Sequence, residues 1–279
     1  MDKKQMIIAF QGEHGAYSEQ AIRQHFGSGP QTLPCHTFVE IFQALQNREA
    51  THGMLPVENS LAGTVVPAYD LLVDHDLHVQ AEVIVRVEHC LMSIPGTKLQ
   101  DLKRVKSHYQ ALGQCEQTLR RMGLEPVIHY DTAGAARDLA SSPEPQTAVI
   151  ASALAAQTYE LEILVHNLED LDFNYTRFFV LGHQPPARQD PSKTSIIFTT
   201  RHVPGALHEV LAELATRGIN LTKIESRPRR NRPWHYLFYV DFAGHEDDPL
   251  VKEAMLGILK RSSFLKILGS YPAAPPVEA

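Results

Sequence analysis

Asn174, Tyr175, Thr176, Arg177 and Phe178 set a carboxamide, a hydroxyl and a guanidinium side by side just ahead of an apolar run at 178–181. That combination suits an anion. A guanidinium grips a carboxylate through two parallel hydrogen bonds. Alone, the same residues read as a polar strand entrance with a surface arginine. A second block resembles the first in kind: Met54, Leu55, Pro56 and Val57 read as a short buried strand that runs into Glu58, Asn59 and Ser60, with Gly63 and Thr64 following. Polar groups at a strand exit are where open α/β sheets hold ligands. A third block, Ser107, His108, Tyr109, Gln110, Ala111, Leu112, Gly113, Gln114 and Cys115, again follows an apolar strand candidate and opens a helical pattern.

With Asp131, Thr132, Ala133 and Gly134, and with Glu225, Ser226, Arg227 and Pro228, these blocks closely resemble prephenate dehydratase with a fused ACT regulatory domain. The resemblance spans about residues 5–271, and several ordered motifs agree at once, which is far more specific than one short match. It implies a catalytic part of two α/β lobes, similar to type 2 periplasmic binding proteins, with the active site between them. Glu58, Asn59 and Ser60 are placed on one wall, Ser107 and Gln114 on the other, and Thr176, Arg177 and Phe178 at a crossing. Thr176 resembles the family's catalytic threonine. Arg177 is the expected carboxylate ligand, with Phe178, Ser60, Ser107, Gln114 and Asn174 as further substrate contacts.

The chemistry fits those positions. Prephenate carries two carboxylates and a ring hydroxyl; carbon dioxide and hydroxide leave, and the ring becomes aromatic. A threonine is a weak acid, so Thr176 reads as an oriented donor that stabilises developing charge. Glu58 is either a proton source, if burial raises its pKa, or an acceptor that orients Asn59. Ser107 is expected to start a helix, where its free backbone donors suit a carboxylate. His108 ranks below Thr176 as an acid, because a lone histidine is more often a structural or cap residue. The loop from Gly12 to Ser18 is expected to bring backbone donors to the cleft. It departs from the family at Glu13, where Pro is frequent, and at Ala16, where Thr is frequent; Tyr109 likewise replaces a frequent Pro.

Around these blocks the chain alternates short apolar runs with amphipathic patterns, which predicts an α/β fold. Strands are expected at 6–10, 79–87, 105–107, 127–130 and 148–150, and helices at 18–26, 38–47, 110–122, 133–140 and 152–159. Thr37 and Glu40 are spaced as a capping box. Prolines 185, 186 and 191 mark a linker at 184–193 after a catalytic domain at 1–183. Beyond it, strand 194–200, helix 206–217, strands 221–227 and 234–242, helix 249–261 and strand 264–269 give the ferredoxin-like βαββαβ order within an ACT domain at 194–271, and 272–279 reads as a disordered tail. The resemblance implies that this domain binds phenylalanine through Gly205, Ala206 and Leu207 at a helix start and through Asn220, Leu221, Glu225, Ser226 and Arg227, with His202 a weaker candidate. It also implies a homodimer or homotetramer.

The chain is mildly acidic, 26 basic against 32 acidic residues, which disfavours nucleic-acid binding. Cys35, Cys90 and Cys115 lack metal-ligand spacing and read as buried reduced thiols, so no metal or organic cofactor is expected. No run approaches a membrane span, and a cytoplasmic location is expected. The leading function is conversion of prephenate to phenylpyruvate in phenylalanine biosynthesis under phenylalanine control. Arogenate dehydratase and a non-catalytic amino-acid sensor stay open beside it.

Overall fold

The computed structural model describes residues 6–229 and 232–275. In chain order come β1 (Ile7–Gln11), α1 (Tyr17–Phe26), β2 (Gln31–Cys35), α2 (Phe38–Gln46), β3 (His52–Asn59), β4 (Gly63–Thr64), α3 (Val66–Asp74) and β5 (His78–Arg86). Next are β6 (Cys90–Ser93), β7 (Arg104–His108), α4 (Tyr109–Gln114), α5 (Glu116–Met122), β8 (Glu125–His129), α6 (Thr132–Ser141), β9 (Thr147–Ala151), α7 (Ala153–Tyr159), β10 (Glu162–Val165) and β11 (Tyr175–Gly182). The chain continues with β12 (Ser192–Thr200), α8 (Ala206–Ala215), β13 (Leu221–Arg229), β14 (Arg232–Ala243), α9 (Pro249–Arg261) and β15 (Ser262–Pro272).

Three sheets result: β2-β1-β3-β11-β5 with β4 beside β3, then β10-β6-β9-β7-β8, then β13-β14-β12-β15. The first two are the sheets of two α/β lobes. Each contains a parallel group, β1 with β2 and β3, and β7 with β8 and β9, as covering helices require, while β6 pairs antiparallel with both β9 and β10. The chain passes from lobe to lobe at 87–89 and returns at 166–174. The third sheet is antiparallel, with the strand order of a βαββαβ ferredoxin-like domain. Ile196, Phe198, Val240 and Phe242 pack there against Val210 and Ile258 of its two helices.

Several local expectations change. The helix expected at 110–122 is two helices broken at Cys115. The cause is Asp170, whose carboxylate takes the N–H groups of Gln117 and Thr118 at 2.9 Å each, while its own N–H goes to the Gln114 carbonyl at 2.8 Å. A carboxylate from a distant loop thus caps a new helix start. Ser107 does not open α4; it lies inside β7, and the His108 ring accepts the Gln110 N–H instead. Residue 272 ends β15 rather than beginning a tail, because the Ala273 N–H returns to the Pro191 carbonyl; residues 276–279 lie outside the described residues. Thr37 does cap α2, but Glu40 reaches back to the His36 N–H and the Thr37 hydroxyl. All three cysteines are buried and free.

By its contacts the chain divides into two compact units, one holding residues up to 65 and 83–178, the other 66–82 and 179 onward. Helix α3 and the first half of β5 therefore belong with the third sheet. Tyr69 meets Tyr239 with ring centroids 4.7 Å apart, Arg227 stands 3.4 Å from Asp70, and Lys266 donates to the His75 carbonyl at 2.6 Å. Gly269, at φ +153°, has no room for a side chain: a Cβ there would lie 2.4 Å from the Val79 carbonyl oxygen. Strands β5 and β11 each begin in one unit and end in the other.

Candidate active site

Adjacency of β3 and β11 in the first sheet brings the end of one to the start of the other. Asn59 closes β3, and its carboxamide orientation is fixed because Oδ1 accepts the N–H groups of Leu61 at 3.0 Å and Ala62 at 2.8 Å. The Nδ2 end is therefore the donor. It lies 2.8 Å from Asn174 Oδ1, 3.0 Å from Thr176 Oγ1 and 3.1 Å from the Tyr175 carbonyl. An oxygen that accepts from Asn59 keeps its own proton for something else.

Asn174, 1% exposed, passes the network on by donating to Gln114 Oε1 at 3.0 Å. Gln114 ends α4 in the second lobe, so the two lobes meet through this pair. Ser60 is engaged with backbone: its hydroxyl donates to the Phe173 carbonyl at 2.7 Å and accepts the Tyr175 N–H at 2.9 Å. Two expected contacts are turned inward: Ser107 is fully buried with its hydroxyl on the Ile150 carbonyl at 2.7 Å, and Phe178 is 2% exposed in the core. The Glu58 side chain, expected as a catalytic group, is 37% exposed. Glu58 does not orient Asn59 through any of the bonds just described; its carboxylate stands 3.7 Å from the Arg177 guanidinium, which is itself only 11% exposed. Since successive side chains of a strand face opposite ways, Arg177 with Glu58 and Thr176 with Asn59 form two separate pairs.

The loop after β1 spends its donors internally. Gly12 N–H goes to the Cys35 carbonyl, Gly15 N–H to Glu19 and Ala16 N–H to the Glu13 carbonyl. Its role is to join the lobes: Gly15, at φ +86°, packs so closely that a Cβ would lie 2.6 Å from Ala155 Cα, and its carbonyl accepts from Ser152 at 2.5 Å. Glu13 accepts from Tyr130 at 3.0 Å and pairs with Arg137 at 2.6 Å.

In the third-sheet unit, Gly205 at φ +80° leads into α8 beside an open cavity of about 570 Å³. Gly205, Ala206, Leu207 and His202 line it with Tyr236 and Phe238. Asn220, Leu221, Glu225, Ser226 and Arg227 do not; they lie at the start and along the length of β13, an edge strand.

A sequence profile for prephenate dehydratase matches residues 8–186, and one for the ACT domain matches 194–259. The chain belongs to the prephenate dehydratase family. It is an enzyme of the lyase class. It is similar to arogenate dehydratase/prephenate dehydratase 1 of Arabidopsis thaliana, 41% identical over 97% of this chain and 73% of the relative. It is also similar to a bifunctional N-acyl-homoserine lactone acylase/prephenate dehydratase of Komagataeibacter europaeus, 40% identical over 96% of each chain. The solved prephenate dehydratase of Arthrobacter aurescens, in complex with L-Phe, superposes with a TM-score of 0.88 at 30% identity, covering 98% of this chain and 93% of that one.

Within this family member two polar side chains stand at the site that the motif reading passed over. His89, 2% exposed, places Nε2 2.8 Å from Gln114 Oε1, and its Nδ1 lies 2.8 Å from the Tyr17 hydroxyl. No local pattern marks His89; only the fold brings it within reach. Burial holds its imidazole below the usual histidine range, with the Gln114 bond working the other way. No group of three or more metal-ligating side chains occurs among the described residues, and no helix there is long and apolar enough to cross a membrane.

Proposed function

We propose that the protein converts prephenate to phenylpyruvate and that Thr176 is the donor to the departing hydroxyl. The observation that carries the reading is the Asn59 Nδ2 to Thr176 Oγ1 hydrogen bond, 3.0 Å, in a chain of this family. As the ring carboxylate leaves as carbon dioxide, its bonding electrons move into the ring and expel hydroxide from the opposite carbon. The threonine proton passes to that oxygen as charge develops, water leaves, and the threonine takes a proton back from solvent. A weak acid can do this because it need not be ionised beforehand; it need only be aimed. Arg177 supplies positive charge to the dianionic substrate, and Asn59, Gln114 and Asn174 hold the site open in one arrangement. The Arabidopsis relative's name covers both arogenate and prephenate, which differ by an amino group in place of a keto oxygen, so arogenate is the competing substrate.

In the same proposal, phenylalanine is the effector. The cavity at Gly205, Ala206 and Leu207 is one wall of its site, and Asn220, Leu221, Glu225, Ser226 and Arg227 on the edge strand of a second copy are the other, which makes a homodimer or homotetramer necessary. The L-Phe complex of the Arthrobacter aurescens relative supports this. Activity without added metal or cofactor and a cytoplasmic location complete the proposal.

Phenylpyruvate release from prephenate, measured beside the same reaction with arogenate, tests the activity. Thr176→Ala is expected to lower kcat by roughly two to four orders of magnitude with little change in KM. Near-normal turnover in a folded variant removes Thr176 from the mechanism.

A further inference from the structure

Six polar side chains form one continuous hydrogen-bonded chain, and its direction is set from one end. Asn59 must donate to Asn174 Oδ1, because its own oxygen already accepts from Leu61 and Ala62. Asn174 therefore turns Nδ2 to Gln114, whose Oε1 accepts it. The same Oε1 lies 2.8 Å from His89 Nε2, so that nitrogen carries a proton. A neutral ring then has a bare Nδ1, which accepts from the Tyr17 hydroxyl at 2.8 Å; that hydroxyl proton is shared with the Glu88 carbonyl at 2.9 Å.

His89 sits where both crossings between the lobes meet. Its N–H is held by Glu169 Oε2 at 2.8 Å, its carbonyl accepts from Leu168 at 2.9 Å, and two residues earlier the Val87 N–H goes to the Asn174 carbonyl at 2.7 Å. Both backbone and ring are fixed, so the imidazole is an anchored donor with one tautomer.

We propose that His89 is a positioning residue for the dehydration step, its Nε2–H holding Gln114 and, through Asn174, setting how the two Asn59 Nδ2 protons are shared with Thr176. The inference rests on the reading of Thr176 as the donor. Without the Nε2–H, Gln114 is free to turn its amide. Asn174 Nδ2 then meets a donor in place of its acceptor and shifts, while Asn59 stays pinned by Leu61 and Ala62, and the two Asn59 Nδ2 protons redistribute among Asn174 Oδ1, the Tyr175 carbonyl and Thr176 Oγ1. The bond that orients the hydroxyl changes while Arg177, the main carboxylate ligand, stays in place.

The test uses the full-length protein with His89→Leu, His89→Gln and His89→Asn, beside Thr176→Ala. A glutamine can place an amide N–H where Nε2 stands; an asparagine reaches only to the Nδ1 position. The loss of one hydrogen bond in a low-dielectric network predicts a fall in kcat of about ten- to a hundredfold for His89→Leu and His89→Asn, with KM within about threefold, and substantial recovery in His89→Gln. Nitrogen NMR of the wild-type ring should show the neutral Nε2–H tautomer at neutral pH. A folded His89→Leu with unchanged kcat, or equal kcat in His89→Gln and His89→Asn where His89→Leu does not fold, overturns the role of His89 while leaving Thr176 intact. Near-normal turnover in Thr176→Ala overturns both.

Discussion

Asn59 donates to Thr176 across 3.0 Å, and the direction of that bond decides what the threonine can do. Asn59→Asp is nearly isosteric and keeps an oxygen for the N–H groups of Leu61 and Ala62, so the turn after β3 should persist. The new carboxylate accepts rather than donates. It would draw the Thr176 proton inward and face the Asn174 oxygen at the 2.8 Å contact. Turnover by Asn59→Asp should fall by about two orders of magnitude or more in a protein with native circular dichroism. Full activity would show that the hydroxyl is oriented by something else.

Arg177 and Glu58 make a distinct prediction, because their 3.7 Å pair is separate from the threonine pair. Arg177→Lys keeps the charge and loses the fork that binds a carboxylate bidentately. KM for prephenate should rise by about tenfold or more, with a smaller effect on kcat. If steady-state kinetics show an unchanged KM and the melting temperature falls instead, Arg177 serves the ion pair with Glu58 and not the substrate.

Much of this was legible in the sequence, and the exceptions share a cause. Period-2 and period-3.6 patterns place most strands and helices, and the Asp131 cap of α6 and the Ser152 cap of α7 are local in the same way. The order βαββαβ follows from the same patterns. What failed depended on residues far apart in the chain. Nothing near Cys115 announces that Asp170 will break a helix there, and nothing near Ser107 announces that the Ile150 carbonyl will take its hydroxyl. The grouping of α3 with the third sheet rests on Tyr69 meeting Tyr239, 170 residues later. His89 is the same case at the site: its partners are at 17, 114 and 169, and only the tertiary fold assembles them.

Burial of His89 carries a pH signature. Its folded pKa is lowered, so between that value and the unfolded value of about 6.5 the unfolded chain binds more protons. Stability from this group is complete above about pH 6.5 and is lost as pH falls toward the folded value. One proton limits the slope to about 1.4 kcal/mol per pH unit. Denaturant midpoints measured from about pH 7 down to about pH 5.5 should therefore decline, and decline less steeply in His89→Gln. Equal slopes for the two proteins would mean that His89 does not bind its proton more weakly in the fold.

Phenylalanine control is the prediction with the longest reach, since the cavity beside Gly205 and the bond between Asn59 and Thr176 lie in different compact units. Binding alone changes nothing in catalysis unless phenylalanine favours one of two global arrangements. A coupling of about 1 to 3 kcal/mol would shift substrate affinity roughly five- to 150-fold, and by reciprocity substrate would shift phenylalanine affinity by the same factor. Calorimetric titration of phenylalanine, with and without a substrate analogue, measures that factor directly. Gly205→Val should weaken phenylalanine binding, because a β-branched residue is strained at φ +80°. Deleting the chain after residue 182 is a poorer test. Tyr69, Asp70 and the carbonyls of Val73 and His75 all find partners beyond that point, so the cut strips packing from a helix of the N-terminal segment and should lower the melting temperature of what remains. Equal phenylalanine affinity with and without the analogue, together with unchanged kinetics on adding phenylalanine, would make the C-terminal domain an assembly module with no regulatory role.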